Sequence, residues 1–238
     1  MAGFTLAEIL EATGGHLLQR GISEYCSRIS TDTRSLEKGA LFIPLTGENF
    51  NGHRFINKAV EKGAVAVLIS EPADVSAFAA VSVIAVENTL HALEALARFH
   101  RLRFSIPVIA VTGSNGKTTT KDMISSVLKR KYRVCHTKKN FNNEIGLSQT
   151  LLSLTSEDEV CVTEMGMRGL GQIEELCHVA CPTIGVVTNV GTSHIGILGS
   201  RENIARAKGE LIEALPETGT AILNADDDFV CRMADHFG

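Results

Sequence analysis

The chain has 238 residues, 44% of them hydrophobic and 21% charged, with a formal net charge of −4. Those values describe an ordinary globular protein of one or two domains with a core of its own, and they exclude a disordered or fibrous chain. An acidic balance with no Trp and two Tyr also argues against nucleic acid as a partner, because phosphates need a basic surface and bases need aromatic platforms.

At the N-terminus, Glu8 and Glu11 stand where an export signal would need a basic start and an apolar run. The run Ala40-Leu41-Phe42-Ile43-Pro44-Leu45 predicts a buried strand, followed by a polar loop over 46–52. A helix is predicted from about His53 and is closed by Lys62 and Gly63; a strand over 64–69 completes a βαβ unit. Leu90, Leu93, Leu96, Ala97 and Phe104 recur at helical spacing between Asn88 and Phe104. This helix leads into a second domain, so the expected division is 1–105 and 106–238.

In the second domain, strands are predicted over 108–112, 133–136, 160–163, 184–188 and 221–223, with intervening helices that include 200–215, N-capped by Ser200. The pattern is that of an α/β protein, a mostly parallel sheet in a three-layer α/β/α arrangement. Right-handed crossovers place every strand's C-terminal end on one edge, so the residues just after each strand are the ones to inspect. The longest uncharged stretch, 176–200, is interrupted by His178, Pro182, Asn189, His194 and several glycines, which excludes membrane insertion as a continuous apolar span. The six cysteines are scattered without a CxxC pair, as expected of free thiols in a cytoplasmic protein.

After the 108–112 strand comes Gly113-Ser114-Asn115-Gly116-Lys117-Thr118-Thr119-Thr120 and then a helical pattern. Glycines let successive backbone N–H groups turn toward phosphate oxygens, and the helix N-terminus adds its positive end. Lys117 would reach the β and γ phosphates and Thr118 would ligate Mg²⁺. Strict Walker spacing wants glycine at position 111, which is Val111, so this is a shortened loop. A strand before it and a helix after it favour nucleoside triphosphate binding over a chance glycine turn.

Glu164, ending the 160–163 strand beside this loop, is either a Mg²⁺ ligand or a solvated strand end. His194 lies in a Gly/Ser/Thr loop on the same edge, where a lone histidine is usually a surface residue. The 200–215 helix carries Arg201, Arg206 and Lys208, and charge logic alone gives Lys208 no role. Cys177 and Cys181 are spaced i, i+4 without a second ligand pair, so a packed helix is favoured over zinc. The basic run Lys129, Arg130, Lys131, with Lys138 and Lys139 after it, needs no nucleic acid, since cations suit a helix C-terminus.

These motifs carry a family resemblance. The run 111–120 resembles the ATP loop of the Mur ligases, which join amino acids or peptides to a UDP-muramoyl precursor of bacterial cell wall. Asn140-Phe141-Asn142-Asn143-Glu144-Ile145-Gly146 and Glu164-Met165-Gly166-Met167 resemble the branch that joins D-alanyl-D-alanine to UDP-N-acetylmuramoyl-tripeptide. So do Thr188-Asn189-Val190-Gly191-Thr192-Ser193-His194 and Ala205-Arg206-Ala207-Lys208-Gly209-Glu210. Asp32-Thr33-Arg34 and Gly47-Glu48-Asn49-Phe50-Asn51-Gly52-His53 resemble the family's UDP-substrate domain, with Thr33 where Ser is frequent and Asn51 where Asp is frequent. The family continues beyond position 238 into a third domain, so the expectation is a UDP-substrate domain and most of an ATP-binding domain, binding better than it catalyses.

The resemblance implies that a carboxylate of the tripeptide attacks the γ-phosphate of ATP, giving an acyl phosphate that the D-alanyl-D-alanine amine then opens. It implies that Gly113, Ser114, Asn115, Gly116, Lys117, Thr118 and Thr119 hold ATP. It implies that Lys117, Glu164, His194 and Lys208 are catalytic, and that Thr118, Glu164, His194 and Lys208, the last if carbamylated, hold Mg²⁺. Asn142, Asn143 and Glu144 would contact the muramoyl substrate, and Asp32, Arg34, Gly47, Asn49 and His53 its uridine diphosphate end. The expected protein is a monomer. Two rivals stay open: the ligase that adds the third amino acid, which the 140–146 motif disfavours, and a nucleotide-binding module without ligation.

Overall fold

The computed structural model describes residues 2–72, 78–138 and 141–236. The chain divides into two compact units, 1–100 and 101–238.

In the first unit, α1 (Leu6–Thr13) starts in a capping box in which Thr5 and Glu8 satisfy each other's backbone N–H, and ends at Gly14 in the left-handed conformation. The strands are β1 (His16–Gln19), β2 (Arg28–Ser30), β3 (Ala40–Phe42), β4 (Ala66–Ile69) and β5 (Ser82–Ala85); α2 (Ile56–Glu61) links β3 to β4, and α3 (Thr89–Arg101) ends the unit. The sheet order is β1-β5-β4-β3-β2, parallel except for β1 against β5. Its core includes Phe42, Ile56, Ala59, Val67 and Val83. The apolar run stays buried past Phe42, but its strand stops there, ahead of Pro44, which has no N–H for a ladder. The helix expected from His53 opens as a 3-10 turn, Gly52–Phe55, capped by the Asn51 side chain, before α2 begins.

The second unit runs β6 (Val108–Thr112), α4 (Lys117–Leu128), β7 (Val134–His136), α5 (Glu144–Leu152), β8 (Val160–Glu164), α6 (Gln172–Ala180), β9 (Ile184–Val187), α7 (Ile195–Leu198), α8 (Arg201–Glu213), β10 (Thr220–Leu223) and α9 (Asp228–Cys231). The order β7-β8-β6-β9-β10 is parallel throughout. Alternation along the strands makes three layers. Ile109, Val111, Val162 and Val186 face Ile124 and Leu128 of α4, whereas a Cβ on Gly185 would meet Leu211, Ile212 and Leu215 of the α8 side. Ser200 caps α8 by accepting the Asn203 N–H. The buried Arg101 donates to the carbonyls of Ala180, Phe104 and Ile106, fastening the start of this unit to the end of α6.

Candidate active site

β6 is the central strand, and its neighbours β8 and β9 lie on opposite sides, so the loops after all three converge at the carboxyl edge where open α/β sheets hold ligands. The loop after β6 turns through Gly113, at φ 147°, and Gly116, at φ 78°. A Cβ on Gly113 would lie 1.9 Å from Thr188 Oγ1, so only glycine fits there. The loop is clamped to the one after β9. Ser114 N–H donates to the Asn189 carbonyl, Asn115 N–H to Asn189 Oδ1, and Thr188 Oγ1 to the Asn115 carbonyl at 2.7 Å. Asn189 was not foreseen in this role, because its partner is 74 residues away. Lys117, Thr118 and Thr119 form the first turn of α4, whose N–H groups have no intrahelical acceptor.

Glu164 pairs in register with Val111, which brings its carboxylate beside that first turn. It is 1% exposed. Oε2 accepts from Thr118 Oγ1 at 2.8 Å and Oε1 from Asn142 Nδ2 at 2.9 Å. Both donors are neutral, so a buried carboxylate and a hydroxyl stand together with room in their chemistry for a hard cation. Among the described residues no group of three or more His, Cys, Asp and Glu side chains could hold a metal by itself. A Mg²⁺ ion on Thr118 and Glu164 therefore suits a site completed by phosphate oxygens and water, the usual habit of that ion.

Lys117 Nζ donates to the Gly113 carbonyl at 2.8 Å. Burial lowers its pKa, partly offset by the Glu164 charge. Lys208, on α8, is 3% exposed; burial first and the Lys117 charge second bring its pKa down to about 8. His194 adopts the left-handed conformation at the N-terminus of α7. Lys117, Lys208, His194, Asn142, Asn143 and Glu144 all line one cavity of about 860 Å³.

Within it, Asn143 uses its side chain to cap α5, accepting the Gly146 N–H. Asn140 and Lys139 lie outside the described residues. Arg168, Gln149 and Gln172 also line the cavity and were not anticipated, since none sits in a phosphate or metal pattern. Glu210, two residues after Lys208, turns away to accept the N–H groups of Gly171, Ile173 and Glu174 at the start of α6. Cys177 packs its sulfur against that of Met165 at 3.7 Å.

The remaining candidates are in the first unit, on loops after its parallel strands. Asp32 pairs with Arg34, which also donates its backbone N–H, holding the carboxyl below its ordinary pKa. Gly47 belongs to a short antiparallel pair, Thr46–Gly47 with Phe50–Asn51, and Asn49 lies exposed in its turn. His53 is engaged through both ring nitrogens: Nε2 accepts the Ser70 N–H at 3.1 Å, which makes Nδ1 the donor to Asn51 Oδ1 at 3.0 Å. Asn51 donates in turn to Glu71.

A tight loop between a central parallel strand and a helix, backed by lysines and a buried carboxylate, defines an α/β protein of the phosphate-loop type of architecture. The model of the Mur ligase middle domain matches residues 111–237, and that of the Mur ligase family catalytic domain matches 26–101. The chain belongs to the Mur ligase family. It is 48% identical over 211 residues to a UDP-N-acetylmuramoyl-tripeptide–D-alanyl-D-alanine ligase of Synechocystis, covering 89% of this chain and 46% of the relative, and 48% identical to one from Bacillus subtilis, covering 84% and 43%. The crystal structure of MurF from Acinetobacter baumannii superposes with a TM-score of 0.92 at 33% identity, over 100% of this chain and 52% of that one. MurF ligase from Thermotoga maritima in complex with ADP gives 0.79 at 33% identity, over 88% and 48%. The chain thus spans about half the length of the relatives it matches.

Proposed function

We propose that this chain supplies the UDP-substrate and ATP-binding parts, over 1–105 and 106–238, of a monomeric cytoplasmic ligase. It would join D-alanyl-D-alanine to UDP-N-acetylmuramoyl-tripeptide at the expense of ATP. The observation that carries this is the hydrogen bond from Asn142 to Glu164: it joins the motif resembling the muramoyl site, which lines the cavity, to the buried carboxylate beside the phosphate loop. The names of the relatives at 48% identity support the same substrates.

In this mechanism the loop amides of 113–119 grip the nucleotide phosphates, and Lys117 moves from its own loop carbonyl to the β and γ phosphates. Thr118 and Glu164 would hold Mg²⁺, which when bound supplies positive charge to phosphate oxygens. Asn142 orients the Glu164 carboxylate while Asn143 and Glu144 border the acceptor. An acceptor carboxylate oxygen attacks the γ-phosphorus and ADP leaves. The dipeptide amine then attacks the acyl carbon, phosphate leaves, and the amine proton passes to solvent. Negative oxygens accumulate in both steps, so preorganised positive charge is the main demand on the protein.

Lys208 would serve as an anion. Its neutral amine, accessible because the pKa is near 8, attacks the carbon of CO₂ and loses a proton, giving a carbamate. That anion, with His194, would hold a second cation and relieve the repulsion from Lys117.

The test is the full-length gene product with ATP, Mg²⁺, UDP-N-acetylmuramoyl-tripeptide and D-alanyl-D-alanine. Stoichiometric ADP and a UDP-linked pentapeptide are expected. Ligation of a single amino acid to the dipeptide precursor, or nucleotide binding without product, would overturn the proposal.

A further inference from the structure

The cavity contains a cation that this chemistry does not use. Lys117, on α4, is committed to the phosphates, and Lys208, on α8, to the carbamate. Arg168 belongs to the loop between β8 and α6, on the side of β6 where the post-β7 and post-β8 segments place Asn142, Gln149 and Gln172. Its backbone is held: Gln172 Oε1 accepts the N–H groups of Arg168 and Gly169 at 2.6 and 3.2 Å. The helix that carries Gln172 is itself anchored by Glu210. The guanidinium, by contrast, is exposed and has no carboxylate within ion-pair distance among the described residues. A fixed backbone, a guanidinium without an internal counter-ion and surrounding amide side chains make a surface suited to a peptide that carries a carboxylate.

We propose that Arg168 is a specificity-determining residue, pairing with a substrate carboxylate other than the one that is phosphorylated. The inference rests on the ligase function above and names a subsite of the same cavity. The chemistry, a peptide carboxylate, is shared by the acceptor tripeptide and by the C-terminus of the incoming dipeptide. Arginine suits either because its planar fork takes both carboxylate oxygens.

Steady-state kinetics of the full-length gene product, comparing wild type with Arg168→Ala and Arg168→Lys, test this. Loss of a charge-assisted pair should raise one peptide KM about 10- to 100-fold. The KM for ATP and kcat at saturation should stay as in wild type, and lysine should recover part of the loss. A raised tripeptide KM identifies the acceptor as the source. For the dipeptide, the D-alanyl-D-alanine KM rises and wild-type discrimination against D-alanyl-D-alaninamide disappears in Arg168→Ala. Unchanged peptide KM values, or a parallel rise for ATP, would overturn the assignment while leaving the ligase function intact. A wild-type protein that forms no pentapeptide would overturn the ligase function itself, and this assignment with it.

Discussion

The Thr118 hydroxyl donates to Glu164 Oε2 at 2.8 Å, although the two residues belong to different elements and are 46 positions apart. The register of β8 against β6 produces this contact, because Glu164 lies opposite Val111 just before the phosphate loop leaves the sheet. The protein's own hydrogen bonds thereby bring a hydroxyl and a buried carboxylate together at the start of α4.

Glu164→Gln keeps the shape and the Asn142 contact but removes the charge. Isothermal titration should show Mg²⁺-ATP binding weakened by at least about tenfold, as expected for a lost ionic ligand, while binding of ATP in excess chelator stays unchanged. Equal weakening in both conditions would mean that Glu164 acts only on the fold.

Lys117→Ala leaves developing phosphate charge unpaired. By analogy with lost transition-state donors, the chemical step should slow by about 3 to 4 kcal/mol. Single-turnover ADP release by the full-length gene product measures this, and a rate near wild type would remove Lys117 from the mechanism.

For Gly113→Ala, the added Cβ meets Thr188 Oγ1 and must adopt φ 147°. Strain of this kind costs about 1–3 kcal/mol, which urea unfolding would register. ATP affinity should fall as well, because the clamp from Thr188 to the Asn115 carbonyl has to open.

Lys208 gives a pH dependence. Its folded pKa, about 8, lies below the unfolded value near 10.4, so between these pH values the unfolded chain binds more protons and stability rises with pH. Below pH 8 the buried ammonium costs the fold up to about 3 kcal/mol. In CO₂-free buffer, Lys208→Met should therefore be more stable than wild type at pH 7, with the gap closing toward pH 10.5. With ¹³C-bicarbonate, wild type should show a carbamate resonance that the variant lacks; no resonance at any bicarbonate concentration would exclude the modification.

His53→Ala leaves the Ser70 N–H and one Asn51 contact unpaired. The Ser70 bond is exposed, so water takes over part of it and about 1 kcal/mol of stability should be lost, visible as a lowered midpoint in urea. UDP-N-acetylmuramoyl-tripeptide, added at saturation, should restore less stability to this variant than to wild type, since the loop holding Asn49 is no longer fixed.

How much was legible in the chain follows from the range of the interactions. The Gly113–Thr119 loop, the strands at 108–112 and 160–163, and the Ser200 cap carry signals within a few residues, so local pattern sufficed to find them, although the clamp on the loop comes from Thr188 and Asn189. The 3-10 turn at Gly52–Phe55 departs from the expected helix because the Asn51 cap and the Gly52 bond to the Leu45 carbonyl compete with helical hydrogen bonding. Arg168 and Gln172 had no local signature, and the motif that contains Asn189 did not show its bond to the Asn115 N–H.

By itself the amino-acid sequence determined that this is an α/β protein with a phosphate loop and Mur ligase motifs, because periodicity, glycine placement and short motifs act over a few residues. Tertiary structure alone decided which side chains meet: Thr118 with Glu164, Glu164 with Asn142, Lys208 buried, and so of lowered proton affinity, with the Lys117 charge adding to the effect, and Arg168 at the cavity edge. Those contacts depend on strand order and register, and burial sets the charge of Lys208. Both emerge only when segments tens of residues apart are packed together.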